Sequence, residues 1–209
     1  SRAEVMLRKM MQAVPEPERI HLLNQRRAFG RTVLHGAGRF GSSECFAAII
    51  DSLPVSQRLQ AVCLRDRSGA TVLHDVASSG CAASIRYILS LWPESDDHRC
   101  SQVMDMRDLN GWTVLHCAAR SGNLEAIKAI LALYPEAQYC RAVLVQDRNR
   151  RTAVHHVVFS CKTESIRYIL TLVPVSERIQ ALNLPSGESL VHVDDREARE
   201  CIAQLLAPW

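Results

Sequence analysis

A four-residue motif, Thr-Val-Leu-His, recurs along this chain at a nearly constant interval. It occupies residues 32–35, 71–74 and 113–116, with variants at 152–155 (TAVH) and 189–192 (SLVH). Successive copies lie 39, 42, 39 and 37 residues apart. A fixed period of this length is typical of a solenoid, in which each unit packs mainly against its two neighbours. We therefore expect a stack of similar units and not one globular core.

Each unit reads as two helices joined by a turn. In the third copy, Thr113 is a suitable N-cap for a helix over about 114–120, because its hydroxyl can accept an orphan backbone N–H. Gly122 then permits a left-handed turn. A second helix is predicted over about 123–134, where apolar residues recur on one helical face. Pro135 ends this helix, since the residue before a proline disfavours the helical conformation.

The second helix of each full unit is followed by a proline, at positions 54, 93, 135 and 174. After it comes an insert of the type PVSQRLQAV (54–62), which predicts a short third helix or a structured turn. The unit closes on a tip rich in Asp, Asn and Gly, such as DRSG at 66–69 or DLNG at 108–111. The fourth tip reads DRNR at 147–150, so Asn149 or Arg150 must adopt the turn conformation without glycine.

Together these motifs resemble the ankyrin repeat. The resemblance rests on TxLH, on the small pair in TVLHCAARSGNLEAIKAIL (113–131) and on the Asp-x-x-Gly-x-Thr tip, which recur in register over nearly the whole chain. It implies an all-α solenoid of helix-turn-helix units with hairpin-like tips and, here, a short extra helical insert per repeat. The mean period is near 39 residues, against about 33 in the family, and the insert accounts for the difference.

We expect a single ankyrin-repeat domain over residues 1–209. It divides into a partial N-terminal repeat (1–31), four full repeats (32–70, 71–112, 113–151 and 152–188) and a degenerate C-terminal capping repeat (189–209). The chain is expected to begin partway through a unit and the stack to end at the capping repeat. The resemblance also implies that the repeated histidine ties the tip to the helix. The structural residues of the motif are Thr32, His35, Thr71, His74, Thr113, His116, Thr152, His155 and His192.

Long, arginine-rich units are similar to those of ankyrin proteins that intracellular bacteria inject into host cells. Among 25 basic residues, only Lys9, Lys128 and Lys162 are lysines. This second resemblance implies a bacterial effector that acts on a host protein. It also implies a cytoplasmic location, in the host cytosol or nucleus if the protein is translocated.

The adjacent His116 and Cys117 form the most reactive-looking pair in the sequence, as a nucleophile with its base or as two metal ligands. Five of the eight histidines, however, occupy the same slot of the repeat, which a catalytic residue has no reason to do. The eight cysteines form no CxxC motif, so we interpret them as free thiols in a reducing compartment. We expect no catalytic residue, metal or cofactor within these residues.

The resemblance places a partner on the concave face formed by the tips and the first helices. The four tip segments, counted over residues 25–31, 65–70, 107–112 and 146–151, hold nine arginines against three aspartates, and four of the eleven aromatic residues of the chain fall at variable surface positions. Arginine with aromatic residues is the composition of interface hot spots. The predicted partner-binding residues are Phe29, Arg31, Arg39, Phe40, Arg67, Asp75, Leu109, Asn110, Trp112, Arg120, Arg148, Arg151, His156 and Phe159.

Some of these residues carry a further expectation. Trp112 is expected to be the exposed centre of the surface, so that Trp112→Ala weakens binding more than the loss of any single tip arginine. Asp75 and His156 stand where the family usually has leucine, and each either contacts the partner or hydrogen-bonds a neighbouring repeat. The tip arginines either bind the partner or only solubilise the chain.

The predicted function is a protein–protein interaction module that binds an acidic or amphipathic segment of a partner. One alternative is the targeting arm of a larger enzyme whose catalytic domain lies outside these residues. Another is a binder of nucleic acid or acidic lipid, although a net charge of +3 is low for such a domain. No window approaches the roughly 18 apolar residues of a membrane span. We expect a monomer.

Overall fold

The computed structural model of the protein describes residues 2–92, 106–183 and 196–206. The described helices are α1 (Arg2–Ala13), α2 (Glu16–Asn24), α3 (Val33–Phe40), α4 (Ser43–Asp51), α5 (Val55–Cys63), α6 (Val72–Ser79), α7 (Ala82–Leu89), α8 (Val114–Ser121), α9 (Leu124–Leu131), α10 (Tyr139–Val143), α11 (Ala153–Val158), α12 (Thr163–Thr171), α13 (Val175–Ala181) and α14 (Arg196–Leu206). Two 3-10 turns, Ala28–Gly30 and Glu136–Gln138, complete the helical elements of these ranges.

The helices form two stacked layers. The inner layer is α3, α6, α8 and α11, each packed on the next, and the outer layer runs in the same way through α1, α4, α7, α9, α12 and α14. The outer helices turn an isoleucine-rich face inward, as in α9, where Ile127 and Ile130 are fully buried. Small buried residues in the inner helices, such as Ala118 and Ala119 of α8, let the layers approach closely. The fold predicted from the sequence, an all-α solenoid of paired helices with tips, is confirmed.

The insert after each outer helix forms an extra short helix wherever the structure describes it, as α2, α5, α10 and α13. The insert of the second full unit, including Pro93, lies outside the described residues. In α5 the insert arginine, Arg58, turns back onto the end of α4. Its Nε donates to the carbonyl of Leu53 at 3.1 Å and its Nη2 to that of Asp51 at 2.9 Å.

Two equivalent arginines do the same for their own outer helices. Arg178 Nε donates to the Val173 carbonyl at 3.0 Å, and Arg19 Nη1 donates to the Met11 carbonyl at 2.9 Å. The last carbonyls of a helix have no partner within the helix. The insert arginine supplies one, which explains why the proline and the arginine occur together.

The last unit is described only in part. Its outer helix, α14, buries Ala198, Cys201 and Ile202 and exposes charged residues, with Arg196 and Glu200 2.8 Å apart on the outer surface. The motif residue His192 lies outside the described residues, as does the rest of that motif. Within the described ranges, no helix has the length and apolar character needed to span a bilayer.

Candidate partner-binding surface

The motif histidines fasten each inner helix to the tip region that follows it. In α3, α6, α8 and α11, the ring Nδ1 accepts from the backbone N–H of the motif threonine at 3.1–3.2 Å. Because Nδ1 accepts, Nε2 carries the proton and donates. It reaches a backbone carbonyl 28 to 38 residues further on, in Ala70, Trp112, Val145 and Asn183 for the successive units, at 3.0–3.4 Å.

Each tip is folded by an aspartate at its first position. Asp66 Oδ1 accepts from the backbone N–H groups of Ser68 and Ala70, and Asp108 and Asp147 do the same in the next two tips. The fourth position of the tip is left-handed. Gly69 and Gly111 occupy it with φ of 76° and 78°. In the fourth tip Arg150 occupies it, with φ of 60°.

Arginines connect successive tips through backbone carbonyls. Arg26 donates to Arg65 O at 2.7 Å, Arg65 to Arg107 O at 2.9 Å, and Arg107 to Gln146 O at 2.6 Å. The same guanidinium nitrogen also donates to the glycine carbonyl of its own tip, at 2.8–3.4 Å. A planar guanidinium with several N–H donors suits this bridging better than a lysine ammonium. Three of the nine tip arginines are therefore structural.

Asp75 lies on α6 with its side chain only 5% exposed. It pairs with Arg31 and with Arg39 of the preceding unit, the latter at 3.4 Å. A buried carboxylate requires partners of this kind. Asp75 was predicted as a possible partner contact. That assignment is corrected, because its carboxylate is buried and both its oxygens are engaged by the neighbouring unit.

His156 is the second correction. Its side chain is 2% exposed, and its Nε2 lies 3.2 Å from Asp147 Oδ2, which Arg151 also contacts at 3.3 Å. Its ring packs edge-on against Trp112, with centroids 4.4 Å apart, and lies 5.3 Å from the ring of His116. His156 is therefore part of the contact between units and is not accessible to a partner.

Trp112 was expected to be the exposed centre of the surface, and the structure places it differently. It is half-buried and packs against the hydrophobic core as well as against His156. Its indole Nε1 is buried and has no hydrogen-bond partner among the described residues. The tryptophan therefore presents one part of its ring to solvent and uses the rest to join two units.

The buried histidines are held neutral. Burial, together with the neighbouring His156, lowers the pKa of His116 to about 4. Burial also lowers the pKa of His156 to about 4, against the opposing effect of its hydrogen bond to Asp147. Burial would raise the pKa of Asp147, but the hydrogen bonds from the Arg151 N–H and from His156 bring it below its usual value.

His116 and Cys117 do not form a nucleophile and base. Both ring nitrogens of His116 are used by Thr113 and Val145. Cys117 is buried, and this burial raises the pKa of its thiol to about 12. A thiolate is the reactive form of cysteine, so this pair serves packing and hydrogen bonding. Within the described ranges, no three His, Cys, Asp or Glu side chains are grouped as metal ligands would be.

The remaining predicted residues form an exposed surface. Phe40 is 83% exposed, Phe29 73%, Leu109 55% and Phe159 40%. Two arginines lie over aromatic rings at the ends of inner helices: Arg39 is 5.8 Å from the ring centre of Phe40, and Arg120 is 5.9 Å from that of Phe159. We call this set, together with the exposed Arg67, Asn110 and Arg148, the binding surface.

Some arginines near this surface are paired with carboxylates and others are not. Arg31, Arg39 and Arg151 are paired with buried carboxylates. In contrast, no carboxylate of the described residues lies within ion-pair distance of the tip arginines that neither pair with a buried aspartate nor bridge two tips. These are Arg27, Arg67, Arg148 and Arg150.

Sequence reasoning missed the carbonyl-bridging arginines and the two buried carboxylate networks. The first carried a signal, because Arg26, Arg65 and Arg107 recur at nearly the repeat period. The second carried little, because Asp75 and Arg31 are 44 residues apart and each of Asp75 and His156 occurs only once at the position after the motif histidine.

A comparison with protein families adds one match. A family model for ankyrin repeats, in three copies, matches residues 91–176, which is less than half of the chain. No curated protein matches the chain.

Proposed function

We propose that this chain, an all-α solenoid containing ankyrin repeats, binds an acidic or amphipathic segment of another protein on the binding surface. Ankyrin repeats are in general protein–protein interaction modules. The observation that carries the specific proposal is the exposure of Phe29, Phe40 and Leu109 on a surface that also exposes arginines without a carboxylate partner among the described residues, such as Arg67 and Arg148.

Exposed aromatic side chains next to arginine supply what a partner needs. Truncation of a buried aromatic anchor costs about 2 kcal/mol or more of binding free energy, whereas an exposed ion pair contributes about 0–1 kcal/mol. Phe40 and Phe159 are therefore expected to supply affinity. The unpaired arginines are expected to set the association rate and its salt dependence.

A photo-crosslinking amino acid placed at position 40, 109 or 159 tests this proposal. Captured proteins are compared with those from variants that carry the same group at Arg86 or Arg167, which are exposed on the outer helices α7 and α12. We expect a common partner at the first three positions. Equal capture from the outer helices would overturn the proposed face.

Phe40→Ala tests affinity separately from stability, because Phe40 is largely solvent-exposed in the free chain. It should weaken partner binding at least tenfold without lowering the melting temperature. Trp112→Ala should weaken binding as well, but it should also lower the melting temperature, because the indole packs between two units.

The length and arginine content of the units support a further part of the proposal, that the chain acts as an effector on a host protein in the host cytosol or nucleus. We also propose that these residues act by binding and not by catalysis. Binding of nucleic acid or acidic lipid by the tip arginines would appear as a steep loss of affinity between low and moderate salt.

A further inference from the structure

A recess of about 160 Å³ lies between α1, the insert helix α2 and α4. These three helices contribute no residue to the binding surface, so the recess goes beyond the proposed function. Its lining includes two guanidinium groups, one carboxylate, an amide and a methyl group, from Arg8, Arg19, Asp51, Gln12 and Ala48. We call it the outer recess.

The equivalent place one unit further along the stack holds a cluster of three side chains. Tyr87 of α7 donates its hydroxyl to Asp51 Oδ1 of α4 at 2.6 Å. Arg58 of the insert helix α5 brings its Nη1 to 3.2 Å from the same oxygen. An aromatic ring, a carboxylate and an insert arginine therefore close this junction between two outer helices.

The outer recess has the same three positions with two of them changed. The residues 39 positions before the cluster are Ala48, Gln12 and Arg19, and all three line the recess. The arginine is retained, but a methyl group stands in place of the ring and an uncharged amide in place of the carboxylate. The recess is therefore the space that the ring of Tyr87 fills one unit further on.

The arginine of the recess has a hydrogen-bond donor that is not satisfied. Arg19 Nη1 donates to the Met11 and Val14 carbonyls at 2.9 and 3.4 Å, but Nε is buried and has no partner among the described residues. The equivalent Nε of Arg58 donates to the Leu53 carbonyl. Buried donors in native proteins almost always have an acceptor, so one is expected from outside the described residues.

The charges around the recess also leave room for an anion. Asp51 is offset by Arg8 and Arg58, at 3.6 and 3.2 Å, and Glu4 also contacts Arg8 at 3.2 Å. With Arg19, three guanidinium groups stand against two carboxylates among the described side chains of this region. One positive charge is therefore in excess.

We propose that the outer recess binds a small aromatic carboxylate, with its ring against Ala48 and its carboxylate paired with Arg19. The ring takes the place that Tyr87 fills in the next unit, and the carboxylate takes the role that Asp51 has towards Arg58. The recess, at about 160 Å³, has room for one ring, since a protein cavity of about 150 Å³ accepts benzene. A guanidinium pairs with a carboxylate through parallel N–H bonds.

Fluorine NMR with 4-fluorobenzoate measures this binding directly. Fluoroacetate carries the carboxylate without the ring, and 4-fluorobenzyl alcohol carries the ring without the carboxylate. We expect 4-fluorobenzoate to bind at least tenfold more tightly than either. Equal affinity for fluoroacetate would show that the arginines attract any anion. Binding by none of the three would show that the recess serves only the packing of α1 on α4. Either result would overturn the inference.

A variant that rebuilds the cluster tests the location. Gln12→Asp/Ala48→Tyr copies the carboxylate and the ring of the next unit into the outer recess. It should raise the melting temperature and weaken 4-fluorobenzoate binding at least tenfold. Ala48→Leu fills the recess without changing a charged residue and should weaken binding to a similar extent. Unchanged affinity in both variants would place the ligand elsewhere.

The role of the arginine is tested by Arg19→Gln, which should also weaken binding at least tenfold. The matched control is Arg178→Gln, which removes the equivalent arginine of α13, far along the stack from α1. Its affinity for 4-fluorobenzoate should stay unchanged. A loss of the same size in the control would contradict a pairing with Arg19. If Arg19→Gln fails to fold, Ala48→Leu still decides whether the recess is the site.

Discussion

Among the described residues, three other than glycine adopt a left-handed backbone: Phe29, Arg150 and Cys161. Cys161 occupies the slot that Gly80 and Gly122 fill, with φ of 71° and 70°, in the two preceding units. It is exposed, and its backbone N–H closes the end of α11 on the Val158 carbonyl. No contact of the described residues explains why this slot holds a side chain.

Cys161→Gly should therefore stabilise the protein. A left-handed conformation costs roughly 1–2 kcal/mol for a residue with a Cβ, and the greater freedom of glycine in the unfolded chain offsets part of that gain. We expect a net gain of about 0.5–1 kcal/mol, measured by urea unfolding. As the control, Gly80→Ala should destabilise, because its Cβ would also meet Asn123 Cβ at 3.0 Å. An unchanged midpoint for Cys161→Gly would contradict the assigned strain.

The buried histidines predict a loss of stability in mild acid. The folded-state pKa of His156 is about 4, below the ordinary value of 6.5. Between these values the unfolded chain binds more protons than the folded one, so stability falls as the pH is lowered from about 6.5 towards 4. For one such group the loss between pH 7 and pH 5 is about 2 kcal/mol. His156→Leu should reduce the pH dependence of unfolding by about this amount.

The exposed His21→Leu is the matched control for that measurement, since it removes a histidine outside the buried cluster. An equal reduction in both variants would contradict the assignment to His156. The readout is the urea midpoint at pH 7 and at pH 5.

Residues that repeat could be understood from the sequence, and residues that occur once could not. The role of His116 was inferred because four other histidines share its slot. Asp75 and His156 each occur only once at the position after the motif histidine, and two interpretations stayed open for each. Only the structure shows that their partners, Arg31 and Asp147, lie close enough to satisfy them.

At the scale of helices, the insert is the element that distinguishes these units. In three of the described inserts, the arginine four residues after the proline caps the preceding outer helix by donating to backbone carbonyls, which Arg58 does twice. Hydrogen bonds from charged donors contribute about 1.5–3 kcal/mol, and partial exposure lowers this figure. Arg58 is 23% exposed, so we expect Arg58→Leu to destabilise by about 1–2 kcal/mol.

Arg58→Lys should recover little of that stability, because an ammonium cannot reach both carbonyls with the planar geometry of the guanidinium. Thermal unfolding measures both variants. Arg141→Leu, an exposed arginine in the insert of the third unit, is the control and should change little. Full recovery by lysine would show that charge alone is responsible.

The sequence predicted where the helices lie, but it did not predict every residue at which they end. The first helix of the third unit was expected over about 114–120 and spans Val114–Ser121. The second was expected over about 123–134 but ends at Leu131, because a turn between Ala132 and Tyr134 precedes Pro135. A proline shows that a helix must end, and the packing of the preceding turn decides where.

At the scale of the whole molecule, stability is distributed over contacts between neighbouring units. The pairs that Asp75 makes with Arg31 and Arg39 belong to the contact between α3 and α6. Asp75→Ala leaves two arginines without their carboxylate, and breaking a buried pair by removing one partner costs about 3–5 kcal/mol. Since the two arginines are partly exposed, we expect about 1–3 kcal/mol here.

The effect of Asp75→Ala should be local. Amide hydrogen exchange should accelerate in α1, α3 and α4, which would be uncoupled from the rest of the stack. Exchange in α9 and α12 should stay unchanged. A uniform acceleration along the chain would show that the solenoid unfolds as one cooperative unit.

The side-chain ties that recur between the inner helices and the tips point the same way along the chain, whereas those between outer helices, such as Tyr87 to Asp51 and Ser165 to the Gly122 carbonyl, point the other way. The histidines of α3, α6, α8 and α11 donate to carbonyls of later residues, and so do Arg26, Arg65 and Arg107. Domains and repeats of a chain can fold in order during synthesis. A unit that has left the ribosome thus holds unmatched donors until the next unit emerges to accept them. For these histidines and arginines, each new unit completes the hydrogen bonds of the unit made before it.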